Sequence, residues 1–200
     1  ILFVSVSNGY ILNHQSRLSY TYPNKINDIT VTWCSINNKT TNTNKIYIKY
    51  YKDSEPKKIF NLEANTSSYQ KQPIIKYVHR ANLNNLEYDS WYNYNLKTST
   101  GYSETFKFKV PEKNDSNYKV LFFGDMGVTD AVTRNRIISN VKTYDYRYLF
   151  HLGDLAYNLQ EKLGFWGDIY LSNMQEATSI LPYMVIPGNH ESWDNFSNYI

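Results

Sequence analysis

The chain has 200 residues, of which 21 are Lys or Arg and 18 are Asp or Glu, and its formal net charge is +3. This mildly basic balance contains no concentrated run of Lys or Arg, so it does not predict a nucleic-acid partner. No apolar stretch approaches the roughly 18–20 residues of a membrane span, so a membrane partner is not predicted either. A hydrophobic content of 42% suffices for one large or two small domains.

The beginning of the chain and its sequons bear on its location. Residues 1–16 begin "ILFVSV" without Met, and they are interpreted as an N-terminal segment that is either the remnant of a signal peptide or a first strand. The single cysteine, Cys34, excludes an internal disulfide. Four N-x-S/T sequons mildly favour a secreted or lysosomal/vacuolar protein, at Asn38, Asn65, Asn114 and Asn195.

The segment 17–112 is predicted to be an all-β antiparallel sandwich. Apolar and polar residues alternate with a period of two in four stretches, at 28–35, 45–51, 90–98 and 104–110. Leu86 precedes Tyr92 by six residues at the start of one strand, a spacing that predicts a tyrosine corner in which the hydroxyl bonds to upstream backbone. With Trp33 as a buried strand aromatic, the segment resembles a fibronectin type III-like domain.

A polar linker, 111–117 ("PEKNDSN"), separates this segment from a different pattern. Strands predicted at 118–124, 148–153 and 183–188 alternate with helices predicted at 130–144 and 164–181. This order predicts an α/β domain over 117–200, with a parallel sheet whose continuous apolar strands are covered on both faces. The chain stops within this pattern, so the domain is interpreted as incomplete and the chain as a C-terminally truncated fragment.

Polar side chains directly follow the three predicted parallel strands, namely Asp125, Asp154 and Asn189, the last followed by His190. Because ligands bind beyond the carboxyl ends of the strands in such sheets, these side chains are expected to converge on one crevice. Carboxylates that approach one another remain ionised only if a cation lies among them. Hard oxygen and nitrogen donors suit Mn, Fe or Zn, so the sequence predicts a metal site at this edge.

Five nearby residues receive lesser roles. His151 is expected to pack beside the site rather than to bind metal, and Glu191 is expected to be a helix-start acid or an outer-shell group. Asn158 is interpreted as a turn residue or a substrate contact. Asp168 and Glu161 are expected to face solvent.

The blocks "GDMG", "GDLAYN" and "GNHE", in this order, resemble the first three signature blocks of the metallophosphoesterase superfamily. Tyr157, three residues after the second Asp, is similar to the tyrosine that the purple acid phosphatase branch carries at this position. A fibronectin-like N-terminal domain is usual in that branch. The stretch 181–199, "LPYMVIPGNHESWDNFSNY", is similar to animal-type members. The resemblance covers nearly the whole chain.

This resemblance implies a binuclear metal centre. It implies that Asp125 and Tyr157 bind Fe(III), that Asp154 bridges both metals, and that Asn189 binds a divalent ion (Fe, Zn or Mn). It further implies that His190 contacts the phosphate or assists the leaving group.

The family supplies three further metal-binding histidines from later blocks, whereas the histidines here are His14, His79, His151 and His190. The chain alone is therefore expected to bind metal poorly and to hydrolyse little. Its parent protein is expected to be an acid phosphatase that acts on small phosphate monoesters. A phosphodiesterase on the same scaffold and a non-catalytic binding protein with a degenerate phosphoesterase domain are the alternatives, and a homodimer is a possible assembly.

Overall fold

The computed structural model describes residues 14–22, 24–36, 45–71, 74–98, 101–114 and 116–192. These residues form an antiparallel β unit followed by an α/β unit. The strands of the first unit are β1 (Arg17–Tyr22), β2 (Lys25–Ile36), β3 (Tyr47–Lys52), β4 (Phe60–Glu63), β5 (Asn65–Lys71), β6 (Ile74–Leu83), β7 (Ser90–Thr98), β8 (Gly101–Tyr102) and β9 (Phe106–Val110). The elements of the second unit are β10 (Lys119–Phe123), α1 (Ala131–Val141), β11 (Tyr146–Leu152), α2 (Glu161–Thr178) and β12 (Tyr183–Ile186).

The first unit consists of two antiparallel sheets that share one core. One sheet has the order β1-β2-β6-β5, and the other has the order β4-β3-β7-β8 with β9 paired to β7. The alternation predicted for 28–35 is confirmed, because Ile29, Val31 and Trp33 are all buried. They pack in one cluster with Tyr94 and Phe108 of the other sheet, as expected for a sandwich.

Five strands of the first unit lie where the sequence patterns predict none, namely β1, β4, β5, β6 and β8. The sequence of β5, "NTSSYQK", shows why, since it has little apolar alternation. This strand lies at the edge of its sheet and pairs with β6, with Thr66 opposite His79 and Ser67 opposite Val78. β5 is a strand because it pairs with β6, and such pairing is not visible in the local sequence pattern.

The predicted tyrosine corner is present. Tyr92 is buried, and its hydroxyl accepts a hydrogen bond from the backbone N–H of Glu87 at 3.0 Å. The hydroxyl of Tyr88 donates to the side-chain oxygen of Asn27 at 3.0 Å. These two bonds attach the turn before β7 to the rest of the sandwich.

The second unit is a parallel sheet with the order β10-β11-β12. Leu149 of β11 lies opposite Leu121 of β10 and opposite Tyr183 of β12. Asp130 caps α1, since its carboxylate accepts the N–H of Thr133 at 2.9 Å. The predicted alternation of strands and helices is therefore confirmed. Separately, no described helix has the length and apolar character needed to cross a membrane.

The two helices cover one face of this sheet. Val141 of α1, Met174 of α2 and Leu149 of β11 belong to one buried cluster. On the opposite face Phe122 is 60%, Leu152 48% and Ile186 44% exposed. The prediction that both faces are covered is therefore wrong for the residues that the structure describes, because both described helices pack on the same side.

Helix α2 also contacts the sandwich. Lys76 of β6 forms an ion pair with Asp168, and the Tyr94 hydroxyl donates to the carbonyl of Ser179 at 2.8 Å. The prediction that Asp168 faces solvent is wrong, because its side chain is buried in this contact. The apolar periodicity of α2 predicts only the face that packs on the sheet. It gives no sign of the polar face that contacts the sandwich through Asp168. Glu161 is exposed, as predicted.

Candidate active site

The loops that follow β10 and β11 lie side by side. The backbone N–H of Asp125 donates to the carbonyl of Gly153 at 3.2 Å, and that of Gly127 donates to the carbonyl of Leu155 at 3.1 Å. The hydrogen bonding between the two strands therefore continues into the loops. It brings Asp125 next to the turn that carries Asp154.

Three of the four predicted metal ligands have a left-handed backbone. The φ angles of Asp125, Asp154 and Tyr157 are 51°, 51° and 46°. Such conformations cost on the order of 1–3 kcal/mol each, persist only where the surrounding structure holds them, and cluster at functional sites. Their concentration in these two loops marks the loops as a constrained site.

Tyr157 connects the two loops through its side chain. Its hydroxyl donates to Oδ1 of Asp125 at 3.0 Å, although the two residues follow different strands. The hydrogen bond to this carboxylate raises the pKa of Tyr157, because ionisation of the phenol would remove the donor. In the absence of a cation the phenol is thus held protonated.

The loop after β12 closes against the Asp154 turn. Oδ1 of Asp154 accepts the backbone N–H of His190 at 3.0 Å. This approach requires glycine at two positions, since a Cβ on Gly153 would lie 2.7 Å from the Cα of Gly188, and a Cβ on Gly188 would collide with the carboxylate of Asp154. Asn189 is exposed, and its backbone carbonyl accepts bonds from the N–H and hydroxyl of Ser192 at 3.3 and 2.7 Å.

Glu191 holds the second and third loops together. Its side chain is 3% exposed, and one oxygen accepts the N–H groups of Asp154 and Gly188 at 2.8 and 2.9 Å. The other oxygen accepts the N–H of Leu155 at 2.9 Å. Its position behind the site agrees with the expected outer-shell role, but the sequence pattern gives no indication that it binds three backbone groups of two loops.

His190 lies against Tyr157 and Asn158. Its ring meets that of Tyr157 edge-on, with centroids 4.7 Å apart and an interplanar angle of 67°. Its Nδ1 lies 3.0 Å from Oδ1 of Asn158, and Nδ2 of Asn158 donates to Oε1 of Glu161. The sequence predicts a turn or substrate contact for Asn158 and does not predict this contact with His190.

His151 is buried next to the site. Its Nδ1 lies 2.7 Å from the hydroxyl of Tyr183 and 2.8 Å from that of Tyr170. Burial lowers the pKa of His151 to about 4, although the carboxylates of Asp125 and Asp154 act to raise it. Nε2 has no hydrogen-bond partner among the described residues.

The predicted ligands are oxygen donors. The structure joins Asp125 to Tyr157 and places Asp154 in the adjoining loop, whereas among the described residues the Asn189 side chain makes no hydrogen bond to them. Asp125, Asp154, Tyr157 and Asn189 offer two carboxylates, a phenol and an amide, which is chemistry that suits ferric and hard divalent ions. The phenol and the Asp125 carboxylate already lie at hydrogen-bond distance, so one cation could replace the shared proton. The described residues contain no group of three or more His, Cys, Asp or Glu that could hold a metal ion. The donors therefore fit part of a metal centre.

Comparison with known proteins identifies the family. Residues 14–110 match the family model described as the N-terminal domain of purple acid phosphatase. Acid phosphatase type 7 of Danio rerio is 32% identical over 190 residues, which cover 90% of this chain and 40% of that protein. The chain belongs to the purple acid phosphatase family. It spans less than half the length of this relative.

A solved purple acid phosphatase shares the fold. The enzyme from yellow lupin (Lupinus luteus) seeds superposes with a TM-score of 0.70 at 22% identity, over 88% of this chain and 35% of that chain.

An Arabidopsis thaliana protein named probable inactive purple acid phosphatase 1 is 30% identical over 146 residues, which cover 62% of this chain and 23% of that protein. Membership of the purple acid phosphatase family thus does not by itself establish activity.

Proposed function

We propose that the full-length protein hydrolyses phosphate monoesters in the crevice between the loops that follow β10, β11 and β12. One observation carries the proposal: the Tyr157 hydroxyl and the Asp125 carboxylate meet at 3.0 Å from two different loops. The bond between Asp154 and the backbone of His190 supports it, since it adds the third loop to the same crevice. Membership of the purple acid phosphatase family supports the reaction class.

In this proposal Asp125, Asp154 and Tyr157 would hold Fe(III), and Asp154 and Asn189 would hold a divalent ion, Fe, Zn or Mn. Two such ions, when bound, supply an activated water and neutralise charge on the phosphate. The proposal requires further ligands from outside the described residues, since these contain no three-ligand group of His, Cys, Asp or Glu.

His190 is the proposed proton donor. When the bond between phosphorus and the leaving oxygen breaks, its electron pair stays on that oxygen, and the imidazolium of His190 transfers a proton to it. Water supplies the oxygen that takes its place on phosphorus. His190 suits this role because its backbone is bonded to Asp154 and its ring packs against Tyr157.

A non-catalytic binding role is the second candidate. The Arabidopsis thaliana relative named probable inactive purple acid phosphatase 1 supports it. A phosphodiesterase on the same scaffold differs only in substrate. Assays of the full-length protein with a phosphomonoester and a phosphodiester separate the three functions.

The proposal is tested by replacing Tyr157 with Phe in the full-length protein. The wild type should contain iron and a divalent metal, absorb visible light and hydrolyse p-nitrophenyl phosphate at acidic pH. The Tyr157→Phe variant should lose the visible band, because the band requires a phenolate bound to Fe(III). The control Tyr22→Phe, at a residue 54% exposed in the sandwich, should keep it. An unchanged band in Tyr157→Phe, or a wild type without metal, contradicts the proposal.

The proposed substrate is a small phosphate monoester, and the proposed location is secreted or lysosomal/vacuolar. Asn65 and Asn114 support this location, because both sequon residues are exposed. The sequons at Asn38 and Asn195 lie outside the described residues. Mass spectrometry of the protein secreted from eukaryotic cells should find glycans on Asn65 or Asn114, and unmodified asparagines at both positions would weigh against it.

A further inference from the structure

A chain of three hydrogen-bonded side chains leads from the start of α2 to His190. Glu161 accepts a hydrogen bond from Nδ2 of Asn158, and Oδ1 of Asn158 lies 3.0 Å from Nδ1 of His190. The backbone also joins two of these residues, since the N–H of Glu161 donates to the carbonyl of Asn158 at 3.0 Å. This arrangement lies beside the predicted ligands and is not part of them.

The chemistry of the three groups fixes the direction of each bond. An ionised carboxylate can only accept hydrogen bonds, so Glu161 must face the NH2 group of Asn158. The carbonyl oxygen of Asn158 then faces His190. Because this oxygen can only accept, Nδ1 of His190 must carry a hydrogen. The bond between Asn158 and Glu161 thus determines which ring nitrogen of His190 is protonated when the ring is neutral.

The backbone holds Asn158 in a position from which it can reach His190. Tyr157 and Asn158 are consecutive left-handed residues, with φ angles of 46° and 73°. Asparagine tolerates this region better than most residues, whereas tyrosine does so at a cost. The pair turns the chain so that the Tyr157 ring and the Asn158 amide both contact His190. Two contacts therefore restrict the rotation of the His190 ring.

We propose that Asn158 and Glu161 are positioning residues that hold the Nδ1–H form of His190 and so present its Nε2 for proton transfer to the leaving oxygen. This role rests on the proposed function, in which His190 is the proton donor. Among the described residues, Nε2 makes no hydrogen bond, whereas Nδ1 is bonded to Asn158. When Nε2 gives its proton to the leaving oxygen, the neutral ring keeps Nδ1–H and the bond to Asn158, so no second proton has to move.

The first test measures the His190 ring directly and does not require activity. Full-length, metal-free protein labelled with 15N-histidine is examined by NMR at a pH at which the ring is neutral, and His190→Gln assigns the signal. The wild type should show a protonated Nδ1. Asn158→Leu, which removes the acceptor at similar size, should shift the proton towards Nε2. Glu161→Leu should do so in part, whereas Glu161→Gln should not, because an amide oxygen can still accept from Asn158.

The second test measures dependence on the leaving group in the metal-loaded full-length protein. An alkyl alkoxide needs a proton in order to leave, whereas p-nitrophenolate does not. Asn158→Leu should therefore lower kcat for an alkyl phosphate at least ~10-fold more than kcat for p-nitrophenyl phosphate. Glu161→Gln should preserve the wild-type ratio. Glu176→Leu, an exposed residue of the same helix, is the control and should leave both values unchanged.

The outcomes separate this inference from the proposed function. A wild-type ring protonated on Nε2, or one that Asn158→Leu does not alter, overturns the positioning role. An altered ring with equal loss of kcat on both esters also overturns it. A protein with bound metals that hydrolyses neither ester overturns the proposed function, while the NMR result still decides whether Asn158 holds the ring.

Discussion

At the scale of single residues, Glu191 connects two of the loops that form the crevice. Its carboxylate accepts three backbone N–H groups, two from the loop after β11 and one from the loop after β12. A buried carboxylate is tolerated where several donors satisfy it, and the donors in turn depend on it. Asp154 is one of these donors, so the position of a proposed metal ligand depends on a residue that does not bind metal.

Replacing Glu191 with Gln should destabilise these loops. The amide keeps one acceptor oxygen but turns an NH2 group towards a backbone donor, so at least one N–H group loses its partner. Hydrogen bonds to charged groups contribute about 1.5–3 kcal/mol, and about 2–4 °C in Tm corresponds to 1 kcal/mol in a chain of this size. Thermal unfolding measures the loss of stability. Amide hydrogen exchange should become faster at the N–H groups that lose their acceptor, which are Leu155 if the NH2 group replaces one oxygen, or Asp154 and Gly188 if it replaces the other.

Glu176→Gln is the matched control for this prediction. Glu176 is exposed and pairs with Lys142 at the surface, so the same chemical change should alter stability by no more than about 0.5 kcal/mol. Equal shifts in Tm for the two variants would show that Glu191 does not hold the loops together.

At the scale of elements, α2 joins the two units of the chain. One side of the helix packs on the parallel sheet, where Tyr170, Met174 and Ala177 are buried. At the C-terminal end of the helix, which faces the sandwich, the hydroxyl of Tyr94 donates to the carbonyl of Ser179. Because this hydroxyl has a single hydrogen, the Ser16 hydroxyl 2.9 Å away must donate to the Tyr94 oxygen.

Tyr94→Phe should therefore loosen the contact between the units. The change leaves the carbonyl of Ser179 buried without this donor, and an unsatisfied buried polar group costs about 1–3 kcal/mol. The free energy of unfolding, measured with urea, should fall by about this amount. Tyr102→Phe makes the same change at a ring that is 41% exposed and should have an effect below about 0.5 kcal/mol. A loss of the same size in both variants would show that the Tyr94 hydroxyl does not stabilise the contact between the units.

At the scale of the whole molecule, each unit contains one fully buried histidine. His79 of the sandwich contacts the hydroxyls of Ser35 and Thr66, while His151 of the α/β unit contacts two tyrosine hydroxyls. Burial lowers the pKa of each ring to about 4. In the unfolded chain their pKa is about 6.5, so the unfolded chain binds more protons between these two values.

Stability should therefore decline as the pH falls from about 6.5 to about 4, because protons then favour unfolding. Each histidine contributes up to about 1.4 kcal/mol per pH unit within this window and nothing further below it, where both states are protonated. Urea unfolding across the window measures the slope for the metal-free protein. His79→Gln should reduce the dependence of the unfolding free energy on pH by the contribution of one histidine, up to about 1.4 kcal/mol per pH unit. A stability that does not change between about pH 6.5 and 4 would contradict the burial of neutral rings.

The sequence by itself determined the succession of strands and helices in the α/β unit, some of the strands of the sandwich, and the positions of the polar residues that end the parallel strands. Strand alternation and continuous apolar runs are local properties, so 28–35 and 148–153 could be recognised without coordinates. Asp125 and Asp154 follow their strands directly, and the geometry of a parallel sheet then requires them to lie at one edge. Their placement depends on chain order alone.

Only the tertiary structure decided which side chains meet. The pairing of Lys76 with Asp168 joins residues 92 positions apart, and the bonds from Glu191 reach a loop 36 and 37 positions away. Such contacts depend on how the sandwich, the helices and the loops pack against each other, and no local period records that packing. The exposed face at Phe122 has the same cause, because an apolar strand shows that it can be buried but not which element covers it.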